Sequence, residues 1–154
     1  EKELYLFCSI VKKDKFEWIV EKGTELGVSK FIPIKSRRSE KKKLNFDRLE
    51  KIIKEAVEQS GRALIPEVDE ITDLEKAMER EIPMVVFSPE GDNFVVEKIY
   101  NKSPLGVFIG PEGGWSDGEI KMFKDKRIPI YSLGPATLRT ETAAIVASSL
   151  ILFS

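Results

Sequence analysis

Near its C-terminus the chain reads LGVFIGPEGGWS at residues 105–116 and SLGPATLRTETA at residues 132–143. In both places a short apolar run leads into a glycine-bearing loop, and a helix-like stretch follows. Two such loops that leave neighbouring parallel strands would meet at one edge of a sheet, which is where ligands of open α/β sheets bind. We therefore expect the chemistry of this protein at that edge.

The rest of the chain continues the same alternation of strand-like and helix-like patterns. Predicted strands cover residues 4–11, 31–34, 65–68, 84–88, 105–109 and 128–133, and residues 94–100 are ambiguous. Predicted helices cover residues 15–26, 45–60, 73–81, 116–124 and 141–153. This order predicts an α/β fold with a mainly parallel sheet and helices on both of its faces.

Local signals at the helix ends are also specific. Ser116 and Glu119 have the spacing of a capping box, and Asp73 is expected to cap the helix that follows it. The last helix is apolar nearly all round, so it must pack in the core, against another subunit, or both.

Composition excludes several classes of protein. The 154 residues suggest one domain, and a net charge of -1 requires any nucleic-acid binding to come from a local patch. The chain has no histidine, which excludes Ser-His-Asp hydrolases and most zinc enzymes, and we expect no metal site. Cys8 is the only cysteine and no apolar run has the length of a membrane span, so we expect a cytoplasmic protein.

The first loop has two physical interpretations. Gly110, Gly113 and Gly114 permit positive φ and close approach of the backbone to an anion or a flat ring. Their spacing matches neither the dinucleotide-binding nor the phosphate-loop pattern. An ordinary glycine-rich turn explains the loop equally well.

The second loop carries charged residues at a position where burial of an unpaired charge would be unfavourable. Arg139 and Glu141 directly precede a helix predicted to be buried, and buried charges are paired or functional. Thr140 as a helix cap and Glu141 beside the helix dipole are structural explanations. For Arg139 the structural explanation is an ion pair with Glu112 or Glu141.

Four segments together resemble one family of enzymes. Residues 110–116 and 133–143, supported by 21–27 and 58–62, resemble the 16S ribosomal RNA uridine N3-methyltransferases, a branch of the SPOUT methyltransferases. The resemblance spans nearly the whole chain and implies a C-terminal trefoil knot, S-adenosylmethionine bound in a bent form, and a homodimer. We expect residues 1–154 to form one SPOUT-like domain, without the N-terminal RNA-binding barrel that family members usually carry. A non-catalytic RNA- or nucleotide-binding module on the same fold is the alternative, and residues 135–137 depart from the family pattern.

The resemblance also implies which residues form the site. Cofactor contacts are expected from the loops and strand ends named here: Phe87, Ser88, Gly110, Pro111, Glu112, Gly113, Ser132, Leu133, Gly134, Leu138, Arg139, Thr140 and Ala143. Because no histidine is present, the base that removes the uridine N3 proton must be a carboxylate, water or a perturbed group. Glu112 is the first candidate and Glu141 the second, and Arg139 would stabilise negative charge on the uracil oxygens.

Substrate RNA requires a positive surface, and the basic stretch 35–43 supplies one. A solvated loop is the structural explanation of such a run. Under the methyltransferase interpretation we expect Arg37, Arg38 and Arg62 to contact phosphates of 16S ribosomal RNA or the small ribosomal subunit. Lys22 and Gln59 lie in matched segments and are predicted to bind RNA as well.

Overall fold

The sheet of the computed structural model, which describes residues 1–39, 43–99 and 101–154, has seven strands, all in parallel pairs. Lys41 and Lys42 of the predicted basic stretch, and Tyr100 of the ambiguous segment, lie outside these residues. The strand order is β3-β2-β1-β6-β5-β7, and β4 pairs with β2. The strands are β1 Leu4–Ser9, β2 Lys30–Lys35, β3 Glu67–Val68, β4 Thr72–Asp73, β5 Met84–Asn93, β6 Leu105–Ile109 and β7 Ile130–Ser132.

Helices lie on both faces of this sheet, as predicted. They are α1 Lys13–Leu26, α2 Phe46–Ser60, α3 Leu74–Ala77, α4 Asp117–Asp125 and α5 Thr140–Leu152, with a short 3₁₀ turn at Val96–Ile99. Side chains alternate along β1, so Leu6 and Cys8 pack in the apolar layer of α1, α2 and α5, whereas Phe7 packs in the layer of α3 and α4. The predicted α/β class is therefore confirmed.

Local signals set several helix ends correctly. The Asn45 side chain accepts a hydrogen bond from the Arg48 amide at 3.1 Å and starts α2. Ser116 and Glu119 form the predicted capping box of α4. Gly61 adopts a φ of +70° and ends α2, because glycine enters the left-handed region without steric strain.

Three predicted elements differ from the structure. Asp73 occupies the predicted N-cap position of α3, but its side chain makes no capping hydrogen bond, and α3 stops at Ala77 rather than continuing to residue 81. Residues 65–68 form only the two-residue strand β3, and Ile65 is exposed. Thr140 is not the cap of α5: Arg139 occupies that position, and the Thr140 hydroxyl has a different partner described below.

One more difference shapes the site edge. β5 continues to Asn93 instead of ending at Ser88, and its pairing with β7 shifts register between Phe87 and Asp92. Gly91 packs onto β7 so closely that a Cβ would lie 2.7 Å from the Ile130 backbone. Ser88 and Pro89 lie within this register shift and line the pocket described below, and such irregularities are frequent beside functional sites.

Candidate active site

A pocket of about 200 Å³ lies at the carboxyl ends of β6 and β7, beside residues 87–89 of β5. Of the thirteen residues predicted to contact the cofactor, twelve line this pocket, and Arg139 does not. Sequence reasoning did not name six lining residues, although four of them lie in the two loops that it assigned to the site: Pro89, Ile109, Gly114, Trp115, Ala136 and Thr137.

The glycine loop, residues 110–116, takes its shape from contacts to both neighbouring strand ends. The Trp115 indole nitrogen donates a hydrogen bond to the Phe87 carbonyl at 3.2 Å. Its ring lies against Gly110 so closely that a Cβ there would be 2.9 Å from the ring. Gly110 therefore has no room for a side chain, and the buried indole forms one side of the pocket.

The second loop, residues 133–139, is tied to the first. The Thr140 hydroxyl donates a hydrogen bond to the Gly110 carbonyl at 2.9 Å. The Ser132 hydroxyl donates to the Gly134 carbonyl at 2.9 Å, and Gly134 has a φ of +139°, which strongly favours glycine. These bonds make the two loops opposite sides of one pocket.

Lys15 is a site residue that sequence reasoning missed. Its ammonium donates to Glu112 Oε1 at 2.6 Å and lies 3.9 Å from Glu141 Oε1. The hydrogen bond from Lys15 lowers the pKa of Glu112, and the same bond raises the pKa of Lys15. Lys15 and Glu112 are 97 positions apart, so no sequence spacing could have paired them.

Arg139 does not form the predicted ion pair with Glu112 or Glu141 within the described residues. It is exposed, so its charge stays hydrated and needs no partner. It still lies close enough to act on both groups of the neighbouring pair, because its charge contributes to lowering the pKa of Glu112 and opposes the rise in the pKa of Lys15.

Glu141 has one unsatisfied oxygen. Its Oε2 atom is buried and has no hydrogen-bond partner among the described residues. Burial raises the pKa of the Cys8 thiol to about 12, with the nearby charge of Glu141 as a second cause, so Cys8 is not a thiolate nucleophile at neutral pH. Glu141 itself does not line the pocket, whereas Thr140 and Ala143 of the same helix turn do.

The predicted RNA-binding residues fall into two groups. Arg37 and Arg38 follow β2 at the pocket edge of the sheet, and Arg38 Nη1 donates to the Gly113 and Trp115 carbonyls at 2.8 and 3.3 Å. Arg62 lies beside Gly27 and the start of β1. It is therefore at the opposite end of the sheet from Arg37 and Arg38, and the strands between them are about 17 Å long.

Lys22 lies in the C-terminal half of α1 and Gln59 in the last turn of α2, three residues before Arg62. Lys22 is 3.4 Å from both Glu21 and Glu25. The structure therefore does not join the five residues into a single patch.

In the parts of the chain that the structure describes, no helix combines the length and apolarity needed to span a membrane. Within the same residues, no group of three or more Cys, Asp or Glu side chains is arranged to hold a metal ion.

The fold is a parallel α/β sheet with a pocket at its carboxyl edge, the usual position of ligand sites in this class, and the comparisons give the family. The family model described as "RNA methyltransferase domain" matches residues 1–152, and the chain belongs to that family. The family resemblance drawn from the glycine loops is thereby confirmed.

The names of individual relatives agree with this family. The chain is 34% identical to "Ribosomal RNA small subunit methyltransferase E" of Bacillus subtilis, over 97% of this chain and 65% of that protein. The chain thus spans about two thirds of the length of that relative.

Solved structures extend the comparison. A ribosomal RNA small subunit methyltransferase E from Neisseria gonorrhoeae, bound to S-adenosyl methionine, superposes with a TM-score of 0.89 at 26% identity, over 99% of this chain and 66% of that one. An Aquifex aeolicus tRNA-modifying enzyme of the TrmH/SpoU type has a TM-score of 0.58 at 24% identity, over 99% of this chain and 73% of that one, and shares the fold.

Proposed function

We propose that this chain is the catalytic domain of an S-adenosylmethionine-dependent methyltransferase that methylates N3 of a uridine in 16S ribosomal RNA. The observation that carries the proposal is the pocket between the two glycine loops, tied together by the bond from Thr140 to Gly110. The bound cofactor of the Neisseria relative and the name of the Bacillus relative support it.

The residues present fit the cofactor. The pocket offers loop backbone for the polar edge of adenine and apolar side chains, Leu133, Leu138 and Ala143, for the adenosyl faces. Gly134, with its positive φ, lets the backbone approach a ligand closely. When bound, the cofactor supplies an activated methyl group on a sulfonium.

The proton on uridine N3 must leave before this nitrogen can attack. The two candidate carboxylates, Glu112 and Glu141, have different surroundings. Lys15 lowers the pKa of Glu112, which makes that carboxylate a weaker base. Glu141 keeps an unpartnered oxygen, so we assign it the proton-accepting role, with Glu112 holding Lys15 in place. Lys15 and Arg139 then supply positive charge for the uracil oxygens.

RNA phosphates would contact Arg37 and Arg38 at the pocket edge. Lys22, Gln59 and Arg62 would form a second contact area toward the opposite end of the sheet. The RNA would then contact Arg37 and Arg38 beside the pocket and extend along α1 and α2 to the second contact area. A cytoplasmic location follows from a ribosomal substrate and a free thiol.

We further propose that the C-terminal segment is threaded as a trefoil knot. α5 follows the edge strand β7, yet it packs on α1 and β1, so the chain crosses back past the end of β6. An experimental structure whose chain trace stays knotted when both termini are extended would confirm the threading, and an unknotted trace would refute it.

Cofactor binding is tested by calorimetric titration with S-adenosylhomocysteine. The wild-type chain should bind it at one site. Gly134→Ala should bind more weakly, because the methyl group has space but the φ of +139° is strained. Gly118→Ala is the matched control: a Cβ there has similar space and no positive φ is required. No binding by the wild type would refute the proposal.

Catalysis is tested by mass spectrometry of 16S ribosomal RNA after incubation with the protein and S-adenosylmethionine labelled in its methyl group. One labelled methyl on a uridine is expected, with a large loss of rate in Glu141→Gln and a smaller one in Glu112→Gln. Binding of the cofactor product without methyl transfer to small-subunit RNA would favour the non-catalytic binding module instead.

A further inference from the structure

We propose that Arg38 is a positioning residue of the candidate active site, which holds the glycine loop in the shape that binds the cofactor. The inference rests on the proposed function, because it assigns the pocket to S-adenosylmethionine. Arg38 acts through the loop backbone and has no place among the residues that line the pocket.

The contact itself is made by one guanidinium nitrogen and two carbonyls. Arg38 Nη1 donates to the carbonyl of Gly113 at 2.8 Å and to that of Trp115 at 3.3 Å. The aliphatic part of Arg38 covers Gly113, where a Cβ would lie 3.3 Å from Arg38 Cδ. Arg38 therefore closes the outer side of the loop with both its charge and its methylene groups.

The two carbonyls belong to residues that shape the pocket. Gly113 and Trp115 both line it, and the Trp115 indole also bonds to the Phe87 carbonyl. Any outward movement of the Trp115 backbone would withdraw the indole from Gly110 and from β5. Fixing these two carbonyls thus fixes the side of the pocket that the indole forms.

The segment that presents Arg38 is itself anchored. Glu119 is buried, and its Oε2 accepts from the Arg37 amide at 3.0 Å while its Oε1 accepts from the Ser116 amide at 2.8 Å. The turn is closed by the Ser39 amide, which donates to the Ser36 carbonyl at 3.1 Å. Arg38 therefore extends from an anchored turn after β2 to the glycine loop. Glu119, which anchors that turn, lies in the first turn of α4, just after the glycine loop.

The glycine loop needs such support because glycine populates many backbone conformations. The apparent affinity of a ligand falls in proportion to the fraction of protein in the binding-competent conformation. Hydrogen bonds from a charged donor are among the stronger ones in proteins, so losing Arg38 would shift this fraction measurably.

The experiment compares Arg38→Ala, Arg38→Lys and Lys54→Ala by titration with S-adenosylhomocysteine in the absence of RNA. Arg38→Ala should bind about tenfold more weakly, the effect of one such hydrogen-bond group. Arg38→Lys, which keeps a charged donor, should recover part of the loss. Lys54→Ala should bind like the wild type, because the Lys54 side chain is exposed on α2 and makes no hydrogen bond or ion pair within the described residues.

Salt dependence of RNA binding supplies the second readout. If Arg38 is only a phosphate contact, Arg38→Ala will flatten the salt dependence and leave cofactor affinity within about twofold of the wild type, and the inference is overturned. A wild-type chain that does not bind S-adenosylhomocysteine would instead refute the proposed function. Should Arg38→Ala not fold, an Arg38→Lys variant with unchanged cofactor affinity and unchanged kinetic constants for the cofactor would overturn the inference.

Discussion

At the scale of single residues, Lys15 determines how the two candidate carboxylates differ. It donates a hydrogen bond to Glu112 at 2.6 Å and lies 3.9 Å from Glu141 Oε1, and the hydrogen bond lowers the pKa of Glu112. The sequence favoured Glu112 as the first candidate base because it lies in the glycine loop. The structure favours the reverse order, since an ammonium at 2.6 Å stabilises the charged form of Glu112.

Replacing Lys15 by methionine should raise the pKa of Glu112 toward its ordinary value. Because the pKa of Glu112 is lowered in the folded protein, the Lys15–Glu112 pair stabilises the fold at pH values above the pKa that Glu112 has in the unfolded chain. This stabilisation is lost as the pH falls through the lowered pKa of the folded protein. Carboxyl NMR titration measures the pKa. Urea unfolding should show a wild-type advantage over Lys15→Met at neutral pH that shrinks in acid.

The control for this experiment is Lys54→Met, an exposed lysine on α2. It removes the same charge and should leave the titration of Glu112 unchanged. An unaltered Glu112 titration in Lys15→Met would show that the ammonium and the carboxylate do not interact in solution.

At the scale of elements, α4 joins the glycine loop to the turn after β2. Its Glu119 has a dual role, because one carboxylate oxygen completes the capping box and the other binds the Arg37 amide. The capping box was predictable, since it depends on residues three positions apart. The bond to Arg37 joins residues 82 positions apart and depends on how the strands are ordered.

Substituting Glu119 by glutamine should destabilise the protein by about 1–3 kcal/mol, because one amide of the pair then faces an NH₂ group and loses its buried acceptor. The measurement is equilibrium unfolding in urea. The effect should be accompanied by weaker binding of S-adenosylhomocysteine, since the turn that carries Arg38 loses its anchor.

Asp117→Asn is the matched control, because Asp117 lies in the same first turn of α4 and is exposed. Its loss of charge affects only the helix dipole, with an expected cost of at most about 1 kcal/mol. Equal destabilisation by the two variants would mean that Glu119 acts through the helix dipole alone.

At the scale of the whole molecule, α5 has two apolar sides. Ala144, Ala147 and Ile151 pack in the core, as expected for a helix apolar nearly all round. On the outside, Leu150 is 46% exposed and Phe153 is 73% exposed, and the adjacent helix α1 exposes 40% of Trp18. Contiguous exposed apolar side chains mark interfaces, so these three are the candidate contacts of the homodimer that the family resemblance implies.

Introducing charge on this side should dissociate the dimer. Leu150→Glu with Phe153→Glu should give a monomer by sedimentation equilibrium at micromolar concentration, where we expect the wild type to be a dimer, because burying two carboxylates in the interface is unfavourable. Lys121→Glu places a carboxylate on α4, against the opposite face of the sheet, and should stay dimeric. A wild-type monomer at the same concentration would refute the dimer.

The sequence by itself determined the parallel α/β class, the capping box of α4 and most of the residues that line the pocket. The first two features depend on apolar periodicity and on short spacings, which are local in the chain, whereas the lining residues were implied by the family resemblance of the two loops. The absence of histidine is a property of composition alone, and it limits the candidate side-chain bases of the site chiefly to carboxylates.

Only the tertiary structure decided which charges meet. It paired Glu112 with Lys15 rather than with Arg139, separated Arg62 from Arg38, and placed Arg38 on the glycine loop. The physical reason is that these contacts cross between elements far apart in sequence, and strand order, not local pattern, sets which of them become neighbours.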